Sequence, residues 1–288
     1  MGTIKLSDIG NSNAHYRFYT FETFLKHQKR LGLKRVDLFG ATPHVWIDAY
    51  SQSGGKRTRQ MIQSFGLTPG VFIPEFSSMR YTLGSGEESH AKTHEYLKYC
   101  LEFAAEMETS QMVITANGFL LDIEEKQRRF RLTEELGHVL DLAEPLGIRI
   151  LLQNHYSDHT NMIRTIRDMD WCLKSMEGRK IGAALDVASA YEAGEDIEQW
   201  LLRFKDRLEY VCLSNTKFDG AKYYWGDGYL NLADLAAQLT HGAYSGGIGC
   251  FYMVRDYLKE PWTADERNVK MLAWAFEGRE DERAKHGR

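Results

Sequence analysis

Short apolar runs rich in β-branched residues alternate with amphipathic helical segments along this chain, at intervals of roughly 30 to 40 residues. The strand-like runs are Arg35–Phe39, Gly70–Pro74, Gln111–Ala116, Arg149–Gln153, Ile181–Val187, Tyr210–Asn215 and Cys250–Val254. An eighth is expected near the N-terminus, in Ile4–Ile9 or around His15–Tyr19. The runs are almost continuously apolar rather than alternating, as parallel strands covered on both faces must be. Between them, Glu95–Met107 gathers Leu97, Cys100, Leu101, Ala104 and Ala105 on one helical face. Thr133–Leu146 does the same with Leu136, Val139, Leu140 and Ala143. Gly32 and Gly147 close helical segments just before a strand, where a left-handed cap is required.

Strict βα order fits either an open doubly wound sheet or a closed barrel. No glycine-rich phosphate loop follows any strand and no early GxGxxG is present, which disfavours the dinucleotide-binding sheet. The expected fold is therefore α/β, a single (β/α)8 TIM barrel over residues 1–276, followed by a charged tail at 277–288. Composition agrees: 288 residues, 43% hydrophobic and 26% charged, are those of an ordinary globular protein. The net charge of −4 and the lack of a Lys/Arg-rich tract argue against nucleic acid as a partner. Cys100, Cys172, Cys212 and Cys250 show no CxxC spacing, so neither a structural zinc site nor a disulfide framework is expected of them. Without a signal-like segment or a membrane-length apolar run, the expectation is a cytoplasmic protein with no membrane partner.

In a barrel, polar residues that close apolar strands point into a common mouth. That criterion selects His44 after strand 2, Glu75 after strand 3 and Asn117 after strand 4. It also selects Gln153 and His155 after strand 5, and Asp186 and Ser189 after strand 6. Strands 7 and 8 add Cys212, Asn215 and Lys217, then Tyr252, Met253, Arg255 and Asp256. The segment Tyr223–Leu230 brings Trp225, Asp227 and two glycines as a mobile wall. Aromatic walls with a few polar groups suit a small carbohydrate ligand.

Each candidate has a structural reading beside the functional one. Asp186 favours function, because a lone carboxylate at the end of an apolar strand is costly unless paired. Asn215 and Gln153 suit loop hydrogen bonding equally well. His44 and His155 lean towards structural roles, Cys212 and Met253 towards the core, and Glu75 towards a pair with Arg80.

At these strand ends the chain resembles the xylose-isomerase-like sugar isomerases and epimerases, most of all the fructoselysine 3-epimerase branch. The resemblance spans about residues 20 to 276 and is carried by VDLFGATPHV (36–45), VFIPEFSSMRYTLGSGEE (71–88) and IRILLQNH (148–155). AALDVASAY (183–191), YVCLSN (210–215), GDG (226–228) and GCFYMV (249–254) extend it. The family holds a divalent metal with two glutamates, an aspartate and a histidine, and its glutamates exchange the substrate proton. The matching positions here are Gln153, Asp186, Cys212 and Met253, so only the aspartate is kept. A carboxamide cannot take a proton from carbon, and a thioether suits neither proton transfer nor a hard cation.

The first expectation from this substitution is a barrel that has lost the metal and the acid–base pair and keeps a carbohydrate-type pocket. No resident metal is then expected, the alternative being Mn, Mg or Zn weakly held at Asp186. The competing expectation is an active isomerase or epimerase with a relocated site drawn from Asp186, Glu75, His155, Lys217 and Asp227. The apolar face of Asn268–Phe276 and Trp262 leave room for a homo-oligomer.

Overall fold

The computed structural model describes residues 4–48, 54–75, 81–84 and 87–278. Eight strands close into a parallel barrel in chain order: β1 (Ile9–Ser12), β2 (Arg35–Gly40), β3 (Thr68–Pro74), β4 (Gln111–Thr115), β5 (Arg149–Gln153), β6 (Ile181–Asp186), β7 (Leu208–Leu213) and β8 (Gly247–Cys250). The helices outside it are α1 (Phe21–Arg30), α2 (Gly54–Ser64), α3 (Glu87–Glu106), α4 (Glu125–Ala143), α5 (Ile166–Ser175), α6 (Val187–Glu192), α7 (Ile197–Phe204), α8 (Leu232–His241) and α9 (Pro261–Glu277). Most of the apolar core lies between strands and helices and includes Phe24, Leu38, Phe72, Leu97, Leu136 and Trp200. No helix among the described residues is long and apolar enough to cross a membrane.

Local signals set the helix ends. Thr20 accepts the Thr23 N–H at the start of α1, and Thr165 with Asp168 forms a reciprocal capping box on α5. Gly32 and Gly147 adopt φ of 78° and 70°, the left-handed geometry that sequence assigned to them.

Two strands differ from expectation for identifiable reasons. β1 falls between the two N-terminal candidates, because its sequence Ile9-Gly10-Asn11-Ser12 carries little strand propensity. β8 is Gly247–Cys250 rather than Cys250–Val254, and most of the apolar run is the loop that leaves it. The glycines of β8 answer a steric demand inside the barrel. Buried Asp37 accepts hydrogen bonds from Val71 N at 3.1 Å and Tyr210 Oη at 2.9 Å, with Arg35 Nε at 3.3 Å. A Cβ on Gly249 would overlap both the Asp37 carboxylate and the Tyr210 hydroxyl. Gly249→Ala is therefore expected to lower stability by about 1–3 kcal/mol, as overpacking does. A wild-type denaturation midpoint would contradict this reading.

On α9, Ala264, Leu272 and Phe276 are buried in the apolar core, whereas Trp274 of the expected apolar face is exposed. Trp262 stacks on His27 with ring centroids 5.4 Å apart. Residues 279–288 of the expected tail lie outside the described residues.

Candidate functional site

β5, β6 and β7 end side by side, with Gln153 registered on Ala184 and Asp186 on Cys212. From these ends Gln153, Asp186 and Cys212 face a cavity of about 160 Å³ at the C-terminal mouth of the barrel. Gln153, His155, Asp186, Cys212 and Met253 all line it, together with Phe39 and Phe251. Tertiary structure thus assembles the four strand-end positions singled out from the family resemblance, including Met253, which stands three residues beyond the end of β8.

A residue that sequence reasoning did not select completes the site. Lys222 lines the same cavity, and its Nζ stands 2.5 Å from Asp186 Oδ1 and 3.0 Å from Ser189 Oγ. Lys222 reaches this point because the loop after β7 turns back on itself. Asn215 and Tyr223 exchange two backbone hydrogen bonds of 2.9 Å, and the Lys222 carbonyl accepts the Met253 N–H at 3.1 Å. Glu192 accepts from Thr216 Oγ1 at 2.6 Å and from Gly220 N at 3.2 Å. These ties hold the start of the Tyr223–Leu230 segment in place, and it is Lys222 just before it, not the segment itself, that lines the cavity. The signal that could have found Lys222 is the unpaired Asp186 itself, which calls for a cation from a neighbouring loop. Sequence alone does not choose between Lys217 and Lys222.

Electrostatics at the mouth follow from burial and this pair. Asp186 is 2% exposed; its Oδ1 also accepts the Ser189 N–H at 2.8 Å, capping α6, and its backbone N–H donates to Asn154 Oδ1 at 2.7 Å. Burial pushes its carboxyl up, but the Lys222 charge and hydrogen bond more than offset this and leave it below its ordinary value. Burial, with the Lys222 charge behind it, lowers His155 to about 4, so its imidazole is neutral at physiological pH. Burial, and then the Asp186 charge, push the Cys212 thiol well up.

Other candidates from sequence are held elsewhere. His44 accepts from Asn13 Nδ2 at 2.9 Å through Nδ1 and donates to the Tyr19 carbonyl at 2.8 Å through Nε2, a structural role outside the mouth cavity. Asn215 is a loop staple, with Oδ1 accepting from Thr216 N and Leu230 N and Nδ2 donating to the Leu230 carbonyl. Lys217 pairs with Asp227 at 2.8 Å, and Tyr257 Oη donates to that carboxylate at 2.6 Å. Trp225 is 1% exposed and packs in the core, with its backbone N–H donating to Asn268 Oδ1 on α9, so it is neither lid nor wall. Arg255 and Asp256 are exposed on a short 3-10 turn. Asn117 is buried beside the Thr82–Gly84 segment and takes the Gly84 N–H on its carbonyl. Glu75 follows the end of β3 outside the cavity wall, and Arg80 lies outside the described residues.

A family model described as the xylose isomerase-like TIM barrel matches residues 25–272. The chain belongs to this family. Among curated members of similar sequence, the fructoselysine 3-epimerase of Shigella flexneri is 21% identical over 246 residues, covering 83% of this chain and 87% of that protein. The fold also matches a 3-keto-D-glucoside 4-epimerase from E. coli, with a TM-score of 0.74 at 18% identity over 93% of this chain and 98% of that one. A D-psicose 3-epimerase from Clostridium cellulolyticum gives 0.74 at 13% identity over 93% and 98%. This xylose isomerase-like barrel thus has the architecture of sugar isomerases and epimerases, with an aspartate–lysine pair at the strand ends.

Proposed function

We propose that this xylose isomerase-like barrel binds a small carbohydrate-type ligand at its mouth without a divalent ion. The observation that carries the reading is Lys222 Nζ, 2.5 Å from the one carboxylate retained at the four ligand positions. The donors there are an amide, a carboxylate, a buried thiol and a thioether, a set poorly matched to a hard divalent cation. The ammonium already neutralises Asp186, and a divalent ion on the same carboxylate would meet like charge at close range. An ammonium and an amide instead offer hydrogen-bond donors to the carbonyl and hydroxyl oxygens of a sugar. Phe39, Phe251 and Ile73 supply the apolar wall.

A second reading, metal-free proton transfer, draws support from His155, whose neutral imidazole lines the same cavity as the Lys222 cation. An imidazole can accept a proton from carbon next to a carbonyl while an ammonium stabilises the resulting oxyanion.

Thermal-shift titration with ketohexoses, ketopentoses and sugar acids tests the binding reading on the full chain, each against its own EDTA-treated baseline. The expected result is a ligand-dependent rise in Tm that EDTA leaves unchanged and Lys222→Met abolishes. A ligand response that requires Mn²⁺ and disappears in EDTA would overturn it. For any sugar that binds, exchange of its α-carbon hydrogen with solvent deuterium, lost in His155→Gln, supports proton transfer; no exchange leaves binding alone.

A further inference from the structure

Outside the mouth, α3 and α4 bring together a second group of chemically capable side chains. His90 and His94 stand four residues apart on α3, and their rings approach to 4.0 Å between centroids. Opposite them on α4 is Glu135, whose carboxylate is 4% exposed. Its Oε2 is 2.9 Å from His94 Nε2 and its Oε1 contacts His90 Nε2. One potential donor atom from each of the three residues lies within 4.8 Å of the others. His138, one turn further along α4, stacks on His94 with centroids 3.8 Å apart and planes inclined by 21°, which fixes the ring that His94 presents.

We propose that His90, His94 and Glu135 form a binding site for one zinc-class divalent transition-metal ion that links α3 to α4 on the outside of the barrel. Two imidazoles on one helical face with a carboxylate from the next element are a zinc ligand set. Nitrogen donors select zinc, nickel or cobalt over magnesium and calcium. At metal–ligand distances of about 2.0–2.2 Å, tetrahedral donors stand roughly 3.3–3.6 Å apart, so the two histidine–carboxylate contacts must open and the three donor atoms, now within 4.8 Å of one another, must converge on that spacing. On binding, the single proton of each neutral imidazole moves from Nε2 to Nδ1 by exchange with solvent and the bare Nε2 turns to the metal, so the carboxylate exchanges two N–H donors for one cation. His90 and Glu135 also line a cavity of about 380 Å³ that opens to solvent, which gives the ion a route in and leaves room for a further ligand. This site is separate from the mouth and does not depend on the reading given for it.

The test uses tag-free full-length chain stripped with EDTA and titrated with zinc chloride, followed by calorimetry and metal analysis after gel filtration. One zinc per chain is expected, together with a rise in Tm. Cobalt(II) in place of zinc should give the intense visible absorption of a four-coordinate ion. Stoichiometric binding should be lost in His90→Ala and in His94→Ala, with circular dichroism confirming that both remain folded, and retained in Asp186→Asn. Absence of stoichiometric zinc in the wild type, or its retention in both histidine variants, would overturn the proposal. Loss of zinc in Asp186→Asn but in neither histidine variant would place the ion at the mouth instead, and would count against the metal-free reading of that site as well.

Discussion

Asp265→Ala should be the most damaging single substitution in this barrel, with an expected loss of about 3–5 kcal/mol in unfolding free energy. Asp265 lies on α9 with no exposed surface. Asn11 Nδ2 on β1 and Gln28 Nε2 on α1 each donate to it at 2.8 Å. His15 Nε2 also approaches at 2.8 Å, Tyr16 Oη donates at 2.7 Å, and Tyr252 Oη from the loop after β8 adds a further contact. One carboxylate therefore ties together the seam at which β1 meets β8. Its removal leaves these donors buried without an acceptor, and each such group carries its own desolvation penalty of about 1–3 kcal/mol. Burial raises the carboxyl, but His15 and the donated hydrogen bonds outweigh it and bring Asp265 below its ordinary value. A carboxylate depressed on folding contributes stability above its unfolded pKa, near 4, and loses that contribution as pH falls through the folded value. Burial and the Asp265 charge hold the Tyr16 and Tyr252 hydroxyls protonated, so they remain donors across this window. Asp265→Asn should then remove part of the acid-sensitive stability while keeping the side-chain volume. Urea unfolding between pH 3 and 7 checks both statements; an alanine variant within about 1 kcal/mol of wild type would refute the first.

The second large effect is expected from Lys222→Ala, and its signature is a reversal in pH dependence. In the wild type Asp186 is depressed, so the pair stabilises the fold above the unfolded aspartate pKa and is lost as pH falls through the folded value. Without the Lys222 charge, burial is the dominant influence left on Asp186 and pushes its carboxyl up. The same residue then lowers stability as pH rises through its unfolded pKa, because the folded state resists ionisation. The deficit relative to wild type should grow from a small value near pH 3 to about 3–5 kcal/mol at neutral pH, the cost of leaving one partner of a buried pair unpaired. Asp186→Asn combined with Lys222→Met should recover much of this loss, since no charge remains buried. A deficit that is the same at every pH would show that Lys222 acts through packing alone.

Much of the architecture was legible because barrel strands obey a simple rule. Strands buried on both faces must be apolar throughout, and β5, Arg149–Gln153, was delimited to the residue. The rule fails where interior packing forbids side chains. At β8 Gly247 and Gly249, the latter clearing Asp37 and Tyr210, carry no strand signal, and the apolar residues after them form the exit loop. At β1 the strand is short and polar because Asn11 must reach Gln28 and Asp265. The candidate site divides in the same way. Gln153, His155, Asp186, Cys212 and Met253 could be selected because strand ends converge by topology. His44 and Asn215 satisfied the same positional rule, and Trp225 came with the Tyr223–Leu230 segment, but they are held by Asn13, the Leu230 backbone and α9, partners that no local pattern reveals.

The sequence by itself determined a single parallel barrel with a mouth at its strand ends, because apolar continuity and βα order are properties of neighbouring residues. Through the family resemblance it also implied that Gln153, Cys212 and Met253 stand where that family carries two glutamates and a histidine. Only the tertiary structure decided what stands there instead. The Lys222–Asp186 pair joins residues 36 positions apart, brought together by a loop that folds back on Asn215 and bonds to Met253. The same holds for His90, His94 and Glu135, where helical spacing aligns two of the side chains but the packing of α3 against α4 supplies the third.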